Sequence, residues 1–126
     1  MEDRYLFKAK HFDEWRIGNI VKEQSGLYIR DIKENVMASI DDESTICQCT
    51  GLKDKNGNLI WENDIVGYWD TYSTENGQAE MDCIGKVVWD GETLSFQVTN
   101  RLSSESYEVL DDCSVIGNIF DNPELL

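Results

Sequence analysis

The amino-acid sequence predicts a mainly β protein, a small barrel or sandwich with one extra β-rich subdomain in front of it. Three observations carry this. Apolar and polar residues alternate with a period of two through much of the chain, tight-turn dipeptides such as Asn56-Gly57 and Asp90-Gly91 separate the alternating runs, and no amphipathic helix of ordinary length is evident. Only the ambiguous stretch from Lys33 to Ile40, where Val36, Met37 and Ile40 also fit a helical stripe, leaves an α+β variant open; strand is preferred there. A chain of 126 residues fits one compact unit or two small subdomains, and 40% hydrophobic with 10% aromatic residues is enough to build a core.

The elements follow in order. Tyr5, Phe7 and Ala9 alternate with Leu6, Lys8 and Lys10, and after the Asp13-Glu14 break Trp15 and Ile17 alternate with Arg16 and Gly18, which predicts a hairpin. Ser25-Gly26 punctuates before a third strand at Leu27 to Arg30. Ser44 or Thr45 is suited to cap a short helical turn after the acidic run Asp41-Asp42-Glu43, because a side-chain oxygen there accepts the first free backbone N–H groups. Asn56-Gly57 supplies the two residues tolerant of positive φ that a type I′ hairpin turn needs, between Leu52 and Ile60-Trp61.

Ile65 to Trp69 reads as a buried strand, and the polar stretch from Asp70 to Asp82 as a long exposed loop, the best place for a partner-facing element. Cys83 to Trp89, turned by Asp90-Gly91 into Leu94, Phe96 and Val98, is a hairpin. Tyr107, Val109 and Val115 to Phe120 supply further strand material, interrupted by Asp111-Asp112. Asn122-Pro123-Glu124 suits one helical turn, with Asn as cap and the Leu125-Leu126 pair free to dock on the barrel.

Charge narrows the functional classes. With 25 acidic against 11 basic side chains the net charge is −14, which opposes direct binding to nucleic-acid backbones. No apolar run approaches the length of a membrane span and the opening Met1-Glu2-Asp3-Arg4 is unlike a secretory signal, so the expectation is a cytoplasmic protein. Cys47, Cys49, Cys83 and Cys113 then read as reduced, buried structural thiols; the alternative of a four-thiolate zinc site lacks the usual paired Cys-x-x-Cys spacing.

No motif points to chemistry. Asp54-x-Asn56-x-Asn58 opens like a calcium loop, but Leu59 and Ile65 occupy the places where the glycine and closing glutamate belong, so a hairpin turn is the reading. His11, the single histidine, has no nucleophile motif to serve and is read as a surface residue. Glycine-rich phosphate loops are lacking, and the carboxylate pairs (Asp41-Asp42-Glu43, Glu80 with Asp82, Asp111-Asp112) read as solvated surface. Trp15, Trp61, Trp69 and Trp89 lie in predicted strands and read as core or half-buried packing.

Several segments resemble a known family. Thr50-Gly51-Leu52-Lys53-Asp54-Lys55-Asn56-Gly57 with Ile60 and Asp64-Ile65-Val66, then Gly85 to Trp89, and finally Val115-Ile116-Gly117-Asn118-Ile119 with Asn122-Pro123-Glu124-Leu125-Leu126, are similar to the signature of the YopX family. The stretch from Tyr5 to Ile20 is similar to that family's start. The resemblance implies a small protein of tailed bacteriophages and prophages whose C-terminal part is like an SH3 barrel; it implies no established activity and no catalytic residue. It places an N-terminal β-rich subdomain over residues 1–49 and the SH3-like barrel with its tail over 50–126. Structural roles are expected for the motif positions Thr50, Gly51, Leu52, Asp54, Asn56, Gly57, Ile60, Asp64, Ile65, Val66, Ile116, Gly117, Asn118, Pro123, Glu124 and Leu125. Asn56-Gly57 turns a hairpin, Asp64 ties down the start of its strand, and Gly117 permits close backbone approach. Asn63 stands where the family commonly has glycine, and tolerates the same left-handed geometry. Cys47 and Cys49 replace a small and an aromatic residue.

The functional expectation is a non-enzymatic phage or prophage accessory protein, without cofactor, that binds an unidentified protein partner, basic in one version, or self-assembles into an oligomer through exposed strand edges. A sharper alternative is an acidic DNA mimic that occupies a nucleic-acid-binding protein. The enzymatic alternative is a divalent-metal-dependent hydrolase, which needs three or four carboxylates in one pocket.

Overall fold

The computed structural model describes residues 5–100, 106–109 and 112–126. The chain is mainly β, with eleven strands, two single turns of 3-10 helix at Glu43–Thr45 and Pro123–Leu125, and no α-helix among the described residues. It divides into two compact units, Met1–Gly51 and Leu52–Leu126.

The first unit contains β1 (Phe7–His11), β2 (Glu14–Glu23), β3 (Gly26–Asp31), β4 (Val36–Ser39) and the start of β5 (Cys47–Lys53). They form an antiparallel sheet in the order β4-β3-β2-β1-β5, so the predicted hairpin and third strand are present and the ambiguous stretch holds a strand. Ala9, Ile29 and Ala38 share one face and form its core, with Ile20, Ile40 and Ile46 packed against them. The 3-10 turn is capped by Asp42, whose carboxylate accepts from the Ser44 N–H at 2.9 Å, rather than by Ser44 or Thr45. A carboxylate two residues before Ser44 accepts the first free N–H of the turn in place of a hydroxyl.

Asp31 closes the β3–β4 turn. One oxygen accepts from the backbone N–H groups of Lys33 (2.8 Å) and Glu34 (3.0 Å), and the other from the Arg16 guanidinium at 3.3 Å. At the same end of the sheet, Phe12 (φ 48°) and Asp13 (φ 68°) are both left-handed, the geometry of a two-residue type I′ turn. Neither is glycine, and left-handed backbone costs an ordinary residue roughly 1 kcal/mol.

β5 continues into the second unit, which adds β6 (Leu59–Trp61), β7 (Asp64–Thr74), β8 (Gly77–Asp90), β9 (Ser95–Thr99), β10 (Ser106–Glu108) and β11 (Ser114–Asn118). The last five form an antiparallel sheet in the order β10-β9-β8-β7-β11, a four-strand meander with the final strand returned beside the first. No pairing closes β10 onto β11 among the described residues, so the sheet is not a hydrogen-bonded closed barrel there. Ile60, Val66, Val87, Val98 and Cys113 form the core, and Tyr68, Phe96, Val109 and Val115 pack against it.

Two expectations are corrected here. The stretch expected to be a loop from Asp70 to Asp82 is a paired ribbon: Asp70 faces Met81, Tyr72 faces Ala79, and Thr74 faces Gly77 across the turn. Polar residues there mask the strand signal, because a two-stranded ribbon solvated on both faces needs no apolar alternation. The tryptophans also differ: Trp61 is buried and Trp15 half-buried, but Trp69 and Trp89 are 59% and 50% exposed. Asp111 lies outside the described residues.

Candidate functional site

Within the family-like motif, Asp54, Asn56 and Gly57 form the β5–β6 turn, Asp64, Ile65 and Val66 start β7, and Ile116, Gly117 and Asn118 lie on the last strand, to which the turn is tied. Thr50, Gly51 and Leu52 lie on β5, and the chain then turns over Asp54 to Asn58. Hydrogen bonds from Asp54 N–H to Asn58 O (2.8 Å) and from Gly57 N–H to Asp54 O (3.0 Å), with Gly57 alone at positive φ (84°), make this a three-residue hairpin loop. The expected type I′ turn is therefore replaced by a type I turn with a glycine bulge. The reason is Asp54, which is buried and has its carboxylate at the centre of the loop. It accepts from the N–H groups of Asn56 (3.0 Å) and Asn58 (2.8 Å) and, across 61 residues, from Val115 N–H at 2.9 Å.

Burial pushes the Asp54 carboxyl up, but donors from the Val115 backbone, the Asn58 backbone and side chain and the Asn56 backbone outweigh it, and the group titrates below the ordinary aspartate range. Lys55 N–H adds a bond to Cys113 O at 3.0 Å, so the turn is stitched to the segment that leads into β11.

Asp64 does what the sequence predicts. Its carboxylate accepts from Trp61 N–H at 2.8 Å and fixes the turn into β7, while Asn63 takes the left-handed conformation (φ 70°). Ile60, Ile65 and Val66 are fully buried. β11 pairs with β7 through Ser114–Gly67, Val115–Val66, Gly117–Ile65 and Asn118–Asp64, with a bulge that leaves Ile116 unpaired and 42% exposed. Gly117 is crowded by a side chain rather than by backbone: a Cβ there would fall 2.6 Å from Asn122 Oδ1. Asn122 likewise departs from its expected role, since its carboxamide accepts from Asn118 N–H at 3.3 Å and does not cap the turn of Pro123, Glu124 and Leu125. Asn118 organises the bend by accepting from Phe120 N–H (3.0 Å) and Asp121 N–H (2.9 Å). The motif thus builds the frame of the second unit.

The surface feature on that frame is a groove along the outer side of β7 and β8. Gly67 faces Ile84 and Trp69 faces Asp82 across the ladder, which puts all four on one side of the sheet. Gly67 leaves the floor open, with Ile116 Cγ2 3.8 Å from where its Cβ would stand. The groove has a volume of about 300 Å³, and Lys55, Asp82, Asp112 and Ser114 contribute polar groups. A neighbouring depression of about 200 Å³ shares Asp82, Cys83 and Ile84 and is walled by Met81, Leu125 and Leu126. Charge is unevenly divided along the sequence: residues 52–126 hold four Lys and Arg against fifteen Asp and Glu, a net of −11, whereas residues 1–51 hold seven against ten, a net of −3.

Sequence reasoning missed the groove because Trp69 falls in a run read as buried. The available signal was Gly67, two residues before Trp69, since a glycine on a strand face leaves space beside it. The other candidates are dispersed or engaged in structure. His11 Nδ1 bonds to Ser39 O at 2.9 Å, and all four cysteines are buried and free of disulfides. Among the described residues no three His, Cys, Asp or Glu side chains are grouped as metal ligands, and no helix is long and apolar enough to cross a membrane.

No curated protein matches the chain. A family model described as YopX protein matches residues 6–126, nearly its whole length and all of the motif positions that frame the second unit. The chain therefore belongs to the YopX family.

Proposed function

We propose that the chain is a phage or prophage accessory protein that acts in the bacterial cytoplasm by binding another protein, and that the β7–β8 groove is its docking surface. The observation that carries this reading is the pairing of an exposed aromatic and aliphatic floor, Trp69 and Ile84, with a unit of net charge −11. Aromatic side chains in an open groove supply the apolar anchor typical of protein interfaces, and the surrounding carboxylates steer a basic partner toward it. Membership of the YopX family fits a phage-associated protein.

The DNA-mimic reading is favoured by the same charge, but it makes no use of the apolar floor, which separates the two. In a pull-down from host lysate at low and then high salt, a basic protein is expected to be retained and then released. Trp69→Ala loses the protein under the docking reading and keeps it under mimicry. Recovery of the chain alone, as a defined oligomer, contradicts both and favours self-assembly.

A further inference from the structure

We propose that the tip of the β1–β2 hairpin is a second docking element: an aromatic knob, Phe12, that enters an apolar pocket bordered by lysine and arginine on a folded protein partner. This rests on the reading of the chain as a binding protein, but not on the groove. Phe12 is 75% exposed, the most exposed large hydrophobic residue among those described. It occupies a left-handed turn position (φ 48°) that asparagine or glycine fills with less strain, and its ring adds nothing to the core of Ala9, Ile29 and Ala38. Apart from the neighbouring His11 ring, no core residue is packed against the phenyl group, so most of its apolar surface is left open to a partner.

The tip is also held in place. The Asp41 carboxylate accepts the Phe12 N–H, and the ring rests against the His11 imidazole, centroids 4.4 Å apart at 60°. His11 is itself bound to Ser39 O at 2.9 Å, and Lys10 N–H donates to Thr45 Oγ1 at 3.1 Å, so the residue before the turn is tied to the segment beside it. A side chain fixed before binding loses little freedom on docking. Leu94 is a useful contrast: it too is exposed (74%) and left-handed (φ 54°), but none of these anchors secures it.

Charge defines the pocket. Asp13 sits in the turn, Glu14 follows it and the Asp41 carboxylate holds the Phe12 N–H, while Arg16 is engaged with Glu14 at 3.5 Å, Asp31 at 3.3 Å and Glu34 at 2.7 Å and Lys10 lies over the Trp15 ring at 5.3 Å. The complement of an apolar knob beside carboxylates is an apolar socket bordered by cations.

The test starts with the full chain carrying a photoreactive benzoyl-phenylalanine in place of Phe12, irradiated in host cells, with the same probe at Leu94 as control. The expected result is an adduct specific to position 12, attached to a partner at a site flanked by Lys or Arg. The purified partner is then titrated with wild type, Phe12→Asn, Phe12→Trp and Trp69→Ala. Phe12→Asn is expected to weaken binding at least tenfold with a melting temperature unchanged or raised, and Phe12→Trp to bind within threefold of wild type. Equal affinity for Phe12→Asn, no adduct at position 12, or an adduct site without cations overturns the proposal. Loss of affinity in Trp69→Ala reports separately on the groove.

Discussion

Each unit places a buried aspartate at a turn, yet the two do different work. Asp31 serves its own neighbourhood, holding the N–H groups of Lys33 and Glu34 within three residues and one guanidinium from the adjacent strand. Asp54 holds Asn56 and Asn58 locally and Val115 at a separation of 61 residues. The first clamp shapes a hairpin, whereas the second also joins the beginning of its unit to the end. The lesson is that a turn motif read from sequence can be a long-range closure, because a carboxylate has two oxygens with several acceptor sites and the backbone of the turn occupies only one of them.

Removing each clamp tests that contrast, and Asp54→Ala has the largest expected effect. It strands three backbone N–H groups, those of Asn56, Asn58 and Val115, and should cost about 3 kcal/mol in urea unfolding. Amide exchange should accelerate at Val115 as well as in the turn. Asp31→Ala should cost about 1.5 kcal/mol, with faster exchange confined to the β3–β4 turn, where water can replace the lost acceptor. Equal costs, or unchanged exchange at Val115 in Asp54→Ala, would remove the distinction.

Protonation is a gentler way to release both clamps. Backbone donation from Glu34 is the main cause that lowers the Asp31 carboxyl, and the Asp54 donors outweigh its burial, so both titrate below the ordinary aspartate value of 3.8. A group depressed in the folded state stabilises the fold fully above its unfolded value and loses that contribution as pH falls through the folded value. Stability is thus expected to be level, as far as these two groups decide it, from neutral pH down to about 4 and to fall below it. Asp54→Asn should flatten part of that fall in acid unfolding curves.

The smallest stability effect belongs to the groove. Trp69→Ala removes a side chain that is 59% exposed and should change stability by less than about 0.5 kcal/mol while abolishing partner capture. A large destabilisation would make Trp69 part of the frame and leave the docking reading without its anchor.

What was legible in the sequence follows the same division. Local alternation gave the β1–β2 and β8–β9 hairpins, and the roles of Asp64 and Asn63 followed from residue chemistry, because each acts on its immediate neighbours. The second oxygen of Asp54, the contact between Gly117 and Asn122, and the pairing through the 70–82 stretch were not legible. The first two depend on how a side chain or tail folds back, and the third on a ribbon whose pairing is carried by backbone rather than by an apolar face. The groove was invisible because burial of Trp69 is decided by what lies over it, and periodicity reports only which side of the strand it takes.

The central claim is that the motif builds the second unit while the outer side of β7 and β8 does the binding. The most direct test is amide exchange of the wild-type chain, free and saturated with the basic protein that the pull-down is expected to retain. Protection concentrated at residues 67–69 and 82–84, with little change at the already closed Asp54–Val115 junction, is the predicted result. Protection that leaves the groove untouched and falls on that junction instead would contradict it.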